Sequence, residues 1–373
     1  MNGPLADFRI LEVGHMLAGP YCGMLLADLG AEVIKIETGE GDIARRMGKH
    51  QAGGHNVYFA SLNRGKLSVT LDLASDGGRA AFHALVASAH GLITNLRPRA
   101  IKKLGLTYDH LKAINPRLVC VALTGYGLEG PYAERPAYDY VIQAMTGIMQ
   151  MTGDPDAEPT KAGYSAVDNS AGIMAALGLT AKLAEGKGGQ VDVAMYDVML
   201  SQLNYVAAAW LNAGERPQRY ARSAHPFIVP AQVFPAGDGW LMLFITHDEF
   251  WRSFCEETGR QDWVHDARFA TIEGRRENRA LVIEELTRLL KTDTAANWVA
   301  RLAPRGIVAA AVDTLDNALA SDLARSRGMV VTLDGAGVRA VGNPIKTPGA
   351  EPGYGAPPRL GEHNDRILRK CVE

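Results

Sequence analysis

The chain has 373 residues, 47% apolar and 21% charged, a globular composition that excludes disorder and supplies more core than one ordinary domain uses. Its 39 basic and 41 acidic residues leave a net charge of −2, so no bulk field favours nucleic acid or an anionic membrane, and any anion site must be local. Cys22, Cys120, Cys255 and Cys371 are far apart without a CxxC pair, which suggests neither a disulfide framework nor a zinc site.

The first stretch, MNGPLADFRILEVG, lacks the basic start and apolar centre of a signal peptide. No apolar run reaches the roughly 20 residues a membrane helix needs, and the expectation is a soluble cytoplasmic protein. RILEV (9–13) is a buried-strand run, followed by the turn GHMLAGP, the helical pattern YCGMLLADLGA and a second strand, EVIKIE (32–37). That is a compact βαβ unit. The rhythm repeats with a strand at 67–73, a helix in GGRAAFHALVASA, and strands at 91–96 and 117–127. The first 130 residues therefore predict a doubly wound α/β sheet.

Helical spacing covers 138–153 and 169–186, each ending at glycine, and GQVDVAMYD (189–197) returns to strand character. FIVPAQVFPAGDGWLMLFI predicts a hairpin around AGDG. Helices follow near 247–257, 279–291 and 294–303, then the apolar run IVAAAV. Residues 225–325 are expected to form a smaller α+β domain, with 1–224 and 326–373 making the larger one.

The first βαβ unit superficially suggests a dinucleotide site, with Glu37 closing its second strand, but Gly14, Gly19 and Gly23 do not make GxGxxG. In NLRPRAIKKLG (95–105), Arg97, Arg99, Lys102 and Lys103 cluster at an expected helix start, against the helix dipole. They are either a solvated surface or an anion site for phosphate. Asp168, in SAVDNSAG, stands at the start of an apolar helix among small residues. It is either an N-cap, stabilising by roughly 1 kcal/mol, or a carboxylate nucleophile for acyl transfer. Asp139, in AYDY, is a second acid in apolar surroundings. No GxSxG elbow frames Ser165 or Ser170, and the histidines lack metal-ligand spacing.

Several segments together resemble the family III CoA-transferases: RILEVGHMLAGPYCGMLLADLGAEVIKIE (9–37), NRGKLSVTLDL (63–73), NLRPRAIKKLGL (95–106), LTGYGLEGPYAERPAYDYVIQAMTGIMQMTG (123–153), SAVDNSAG, GNPIKTPG and PPRLGEH. The resemblance implies a Rossmann-like large domain built from both chain ends, a smaller domain, and two subunits interlocked like linked rings. It places Asp168 at the catalytic aspartate. Around CoA it places Leu17, Ala18, Leu71, Asp72, Leu73, Ala74, Asn95, Leu96 and Arg97, with Lys103 where a relative has arginine, and Tyr138 and Asp139 beside the active site. Coenzyme A thioester would be substrate, with no permanently bound cofactor.

Thr38 and Met47 replace an arginine and a tryptophan of the formyl-CoA enzyme, and SAHPFIVPAQVF (223–234) has no glycine run like that of the oxalate-using enzyme. Oxalate chemistry is therefore disfavoured. The segment looks more like that of succinyl-CoA:glutarate-type transferases, so a dicarboxylic acid is the expected substrate, and Arg45, Arg46 and His225 are candidates for its carboxylate. In the sister α-methylacyl-CoA racemases a histidine stands where this chain has Tyr138, whose pKa near 10 is ill-matched to proton abstraction. That racemase, or a non-catalytic CoA-binding paralogue, is the alternative.

Overall fold

The structure is a computed structural model describing residues 3–349 and 353–369. Among the described residues Cys22, Cys120 and Cys255 are free and buried, Cys371 lies outside them, and no helix is long and apolar enough to cross a membrane. Two compact units emerge. One takes in 1–147, 162–212 and 319–373, the other 148–161 and 213–318.

The first unit is built on β1 (Arg9–Val13), β2 (Glu32–Glu37), β3 (Leu67–Thr70), β4 (Gly91–Thr94), β5 (Val119–Thr124) and β6 (Gly189–Ala194). All five pairings are parallel and the strand order is 3-2-1-4-5-6, that of doubly wound nucleotide-binding folds. The order reverses between β1 and β4, which opens a crevice beyond their carboxyl ends. The central strands are buried on both faces, as in a covered parallel sheet, and the charged groups they carry, Glu12 in β1 and Lys35 and Glu37 in β2, are buried with them. The helices along this part of the chain are α1 (Ala18–Asp28), α2 (Val57–Asn63), α3 (Asp76–Ala87), α4 (Pro98–Lys103), α5 (Asp139–Met145), α6 (Ala166–Glu185), α7 (Met195–Gln202) and α8 (Asn204–Ala213), the last with no buried residue.

The chain end seals the sheet's β3 edge. The Ser68 N–H donates to His363 Nδ1 at 3.1 Å, the Thr70 N–H donates to Asn364 Oδ1 at 2.8 Å, and the His363 N–H donates to the Ser68 carbonyl at 3.0 Å. These bonds satisfy the unpaired groups of an edge strand. Two expectations shift. The helix foreseen over 138–153 breaks after α5 at Gly147, whose φ of +82° is costly for other residues. The strand foreseen over 189–197 stops at Ala194, and Met195 opens α7.

The second unit carries the antiparallel hairpin β7 (Ala231–Pro235) and β8 (Trp240–Phe244), with β9 (Val308–Ala311) on the other side of β8. Helices α9 (Asp248–Thr258), α10 (Arg279–Leu290) and α11 (Ala295–Leu302) complete it. Its core stacks Trp263 on Phe269, centroids 5.2 Å apart, and on Trp251 at 5.7 Å. Against the 225–325 expected from sequence, this unit also takes in 148–161 and 213–224 and ends at 318. Arg219 donates to the carbonyls of Gln150 (2.7 Å), Met149 (3.0 Å) and Ala157 (2.5 Å), tying 213–224 to 148–161.

Candidate active site

Where the strand order reverses, the loop after β1 is gripped by side chains. The His15 N–H donates to Asn95 Oδ1 at 3.0 Å, and Asn95 Nδ2 donates back to the His15 carbonyl at 2.9 Å. The three glycines that fail to form a dinucleotide fingerprint make room for this and for one other group. A Cβ on Gly14 would sit 2.4 Å from Asn95 Oδ1, on Gly19 2.9 Å from the Asn95 carboxamide, and on Gly23 2.0 Å from Glu12 Oε2. None of these distances is tolerable. The glycines serve close packing of polar side chains.

The next residue, Met16, has a φ of +66°. Its N–H donates to Asp42 Oδ1 at 3.1 Å, and Asp42 belongs to a buried ion network. Lys35 Nζ lies 2.8 Å from Glu12 Oε1 and 2.9 Å from Asp42 Oδ2, while Lys66 Nζ lies 2.7 Å from Glu12 Oε2. Burial pushes Lys66 down to about 8. Burial opposes the charge on Lys35 as well, but Glu12, Asp42 and Glu37 around it raise its pKa. The network fixes the loop from beneath.

That loop walls a cavity of about 450 Å³ whose lining includes His15, Leu17, Ala18, Tyr58, Asn95, Leu96, Arg97, Arg135, Tyr138, Asp139 and Asp168. A cavity of about 510 Å³ beside it is lined by Thr38, Arg46, Leu71, Asp72, Leu73 and Ala74, and shares His15 and Leu96 with the first. Of the expected CoA contacts, Lys103 alone lines neither. Lys102 and Lys103 occupy the last turn of α4, because Arg97 is its N-cap and Pro98 takes its first position. Cations there complement the dipole, so of the four cations expected at the helix start only Arg97 and Arg99 stand there.

Asp168 is the third residue of α6 and does not cap it. Asp139 does so from the start of α5. Its Oδ2 accepts the N–H of Val167 at 2.8 Å and of Asp168 at 3.3 Å, and its Oδ1 accepts from Gln143 Nε2 at 2.5 Å. The N-cap residue itself, Ser165, makes no side-chain cap bond. The Asp168 carboxyl is thereby left without a structural duty. It is half-buried, and burial first, then the charge of Asp139, pushes it up to about 7. Among the described residues no cation pairs with it. A desolvated carboxylate of raised basicity, facing a cavity, can attack an electrophile.

None of the three carboxylate candidates lines this cavity. Arg45 grips Glu37 through two bonds of 2.7 and 2.8 Å, donates to the Pro358 carbonyl at 2.9 Å and lies over Phe59. Its guanidinium is consumed within the protein, and Glu37 is equally unavailable as a ribose ligand. His225 belongs to the second unit, where its Nδ1 accepts the N–H groups of Phe227 and Ile228 at 3.1 and 3.2 Å. Arg46 lines the neighbouring cavity. His15, Tyr58 and Arg135, by contrast, line the Asp168 cavity without having been singled out. The ERPAYD segment held the only signal for Arg135, four residues before Asp139.

Residues 5–364 match the family described as CoA-transferase family III. The chain is 34% identical, over 99% of its length and 96% of the relative's, to the acetyl-CoA:oxalate CoA-transferase of Acetobacter aceti. It is also 34% identical, over 98% and 95%, to the succinate–glutarate CoA-transferase of Agrobacterium fabrum. A CAIB/BAIF family protein from Brucella suis has a solved structure that superposes with a TM-score of 0.88 at 35% identity, covering both chains completely. A parallel sheet whose reversal point holds an uncommitted aspartate thus coincides with family identity along nearly the whole sequence: the chain belongs to CoA-transferase family III.

Proposed function

We propose that this chain moves CoA from an acyl-CoA donor to a small carboxylic acid through covalent intermediates on Asp168. The observation that carries this reading is the Asp168 carboxyl, pushed up to about 7 in a cavity where no cation among the described residues pairs with it. An Asp168 oxygen attacks the thioester carbonyl, the C–S bond breaks, and a mixed anhydride and CoA thiolate result. The thiolate then attacks the Asp168 carbonyl and releases the donor acid, leaving an enzyme–CoA thioester. The acceptor carboxylate attacks that thioester, and the freed thiolate takes the new acyl group from the second anhydride, restoring Asp168. Splitting one transfer into these steps is what a covalent nucleophile contributes. Arg97 would hold a CoA phosphate, and the neighbouring cavity that shares His15 and Leu96 would take the nucleotide end.

Relatives that use oxalate and glutarate support a dicarboxylic substrate, and they return oxalate to the acids to be assayed. The nucleophile must be ionised, so kcat/KM should rise with pH through a midpoint near 7, which reports the free enzyme. A flat profile between about pH 5.5 and 8.5 would contradict the assignment.

A homodimer belongs to the same reading. Ile173, Met174 and Leu177 of α6, Leu200 of α7 and Tyr205 and Leu211 of α8 are exposed apolar side chains in the first unit, surface that a second copy would cover. Sedimentation at the mass of a single chain would remove this part of the reading.

A further inference from the structure

Arginines in this protein are mostly consumed internally: Arg45 by Glu37, Arg64 by Asp28, and Arg275 by Asp248 and two carbonyls. Two in the Asp168 cavity are not. Among the described residues neither Arg97 nor Arg135 commits its guanidinium to an ion pair or hydrogen bond. Arg97 follows Leu96, which lines both cavities, whereas Arg135 lines only the cavity of Asp168.

Arg135 is nevertheless held in place. Its guanidinium carbon lies 3.9 Å from the centroid of Tyr132. Tyr132 leans on Tyr126 at 6.0 Å, and Tyr126 leans on Tyr196 at 6.5 Å. Stacking occupies the face of a guanidinium and leaves its in-plane N–H fork free, the geometry that takes a carboxylate with two bonds. Arg135 and Asp168 line the same cavity.

We propose that Arg135 binds the distal carboxylate of the acyl group, so that dicarboxylic acids bridge from Asp168 to Arg135 and are selected over monocarboxylic ones of equal length. This rests on Asp168 being the point of transfer. The test uses acetyl-CoA as donor with glutarate or pentanoate as acceptor, for the wild type, Arg135→Gln and Arg135→Lys. Losing a charge-assisted pair should raise the KM for glutarate about 10–100-fold in Arg135→Gln. Its KM for acetyl-CoA and its activity toward pentanoate should stay unchanged, and Arg135→Lys should recover part of the loss. An unchanged KM for glutarate, an equal loss with pentanoate, or a raised KM for acetyl-CoA would overturn the assignment. A wild-type chain that transfers CoA to neither acid would instead remove the transfer reading beneath it.

Discussion

Asp168→Asn is expected to lower the transfer rate by at least about 10⁴-fold and yet to give a protein more stable than the wild type above pH 7. The substitution keeps the shape and removes the oxygen charge that forms the anhydride, so no alternative route through the same residue remains. The stability gain follows from the same environment. The carboxyl titrates near 7 in the folded chain against 3.8 as its ordinary value. Above pH 7 the folded protein bears the full cost of an ionised, desolvated group, which a shift of about three pH units bounds at ~4 kcal/mol. As pH falls from 7 toward 3.8 the folded state takes up a proton before the unfolded one does, and the penalty fades. Thermal melts should therefore show the variant ahead by several degrees at pH 8 and by progressively less toward pH 5. A variant that melts below the wild type at pH 8 would mean that Asp168 has a structural partner.

Glu12→Ala should cost about 3–5 kcal/mol of folding stability, because removing one member of a buried ion group strands the others. Glu12 is fully buried between Lys35 and Lys66, which carry no exposed side-chain surface. Among the described residues Lys66 then keeps the Pro20 carbonyl at 2.8 Å and Asn63 Oδ1 at 2.9 Å. A domain is commonly stable by about 5–15 kcal/mol, so the loss is a large share. It should appear in urea unfolding as a lower midpoint. A midpoint within the error of the wild type's would show that the network is energetically idle. Activity in whatever folds should also fall, since Lys35 positions Asp42 and Asp42 holds the N–H of Met16 beside the cavity.

The first-unit sheet was legible because RILEV, EVIKIE and GLIT are short runs rich in branched apolar residues and bounded by turn residues, although Glu12, Lys35 and Glu37 are buried within the first two. What failed to show depends on partners remote in sequence. Whether Asp168 caps its helix is decided by Asp139, 29 residues earlier, which supplies the cap and frees it. Gly14 and Gly19 look like a broken phosphate loop until Asn95, some 80 residues on, arrives at the reversal point. Arg45 and Arg135 are alike as letters. Glu37, at the end of β2, claims one, while an aromatic bracket leaves the other free. Lys102 and Lys103 were misjudged because Pro98 starts α4 and Leu104 ends it, a helix too short for its cations to sit anywhere but the last turn.

The most direct measurement is the mass of the peptide bearing Asp168 after the wild-type protein is mixed with succinyl-CoA and quenched in acid. A CoA adduct on that peptide, from which hydroxylamine releases free CoA and leaves Asp168 as the hydroxamate, and which is missing from Asp168→Asn, is the predicted result. Turnover with the peptide unmodified at every quench time, or an adduct on another residue, would contradict covalent transfer through Asp168.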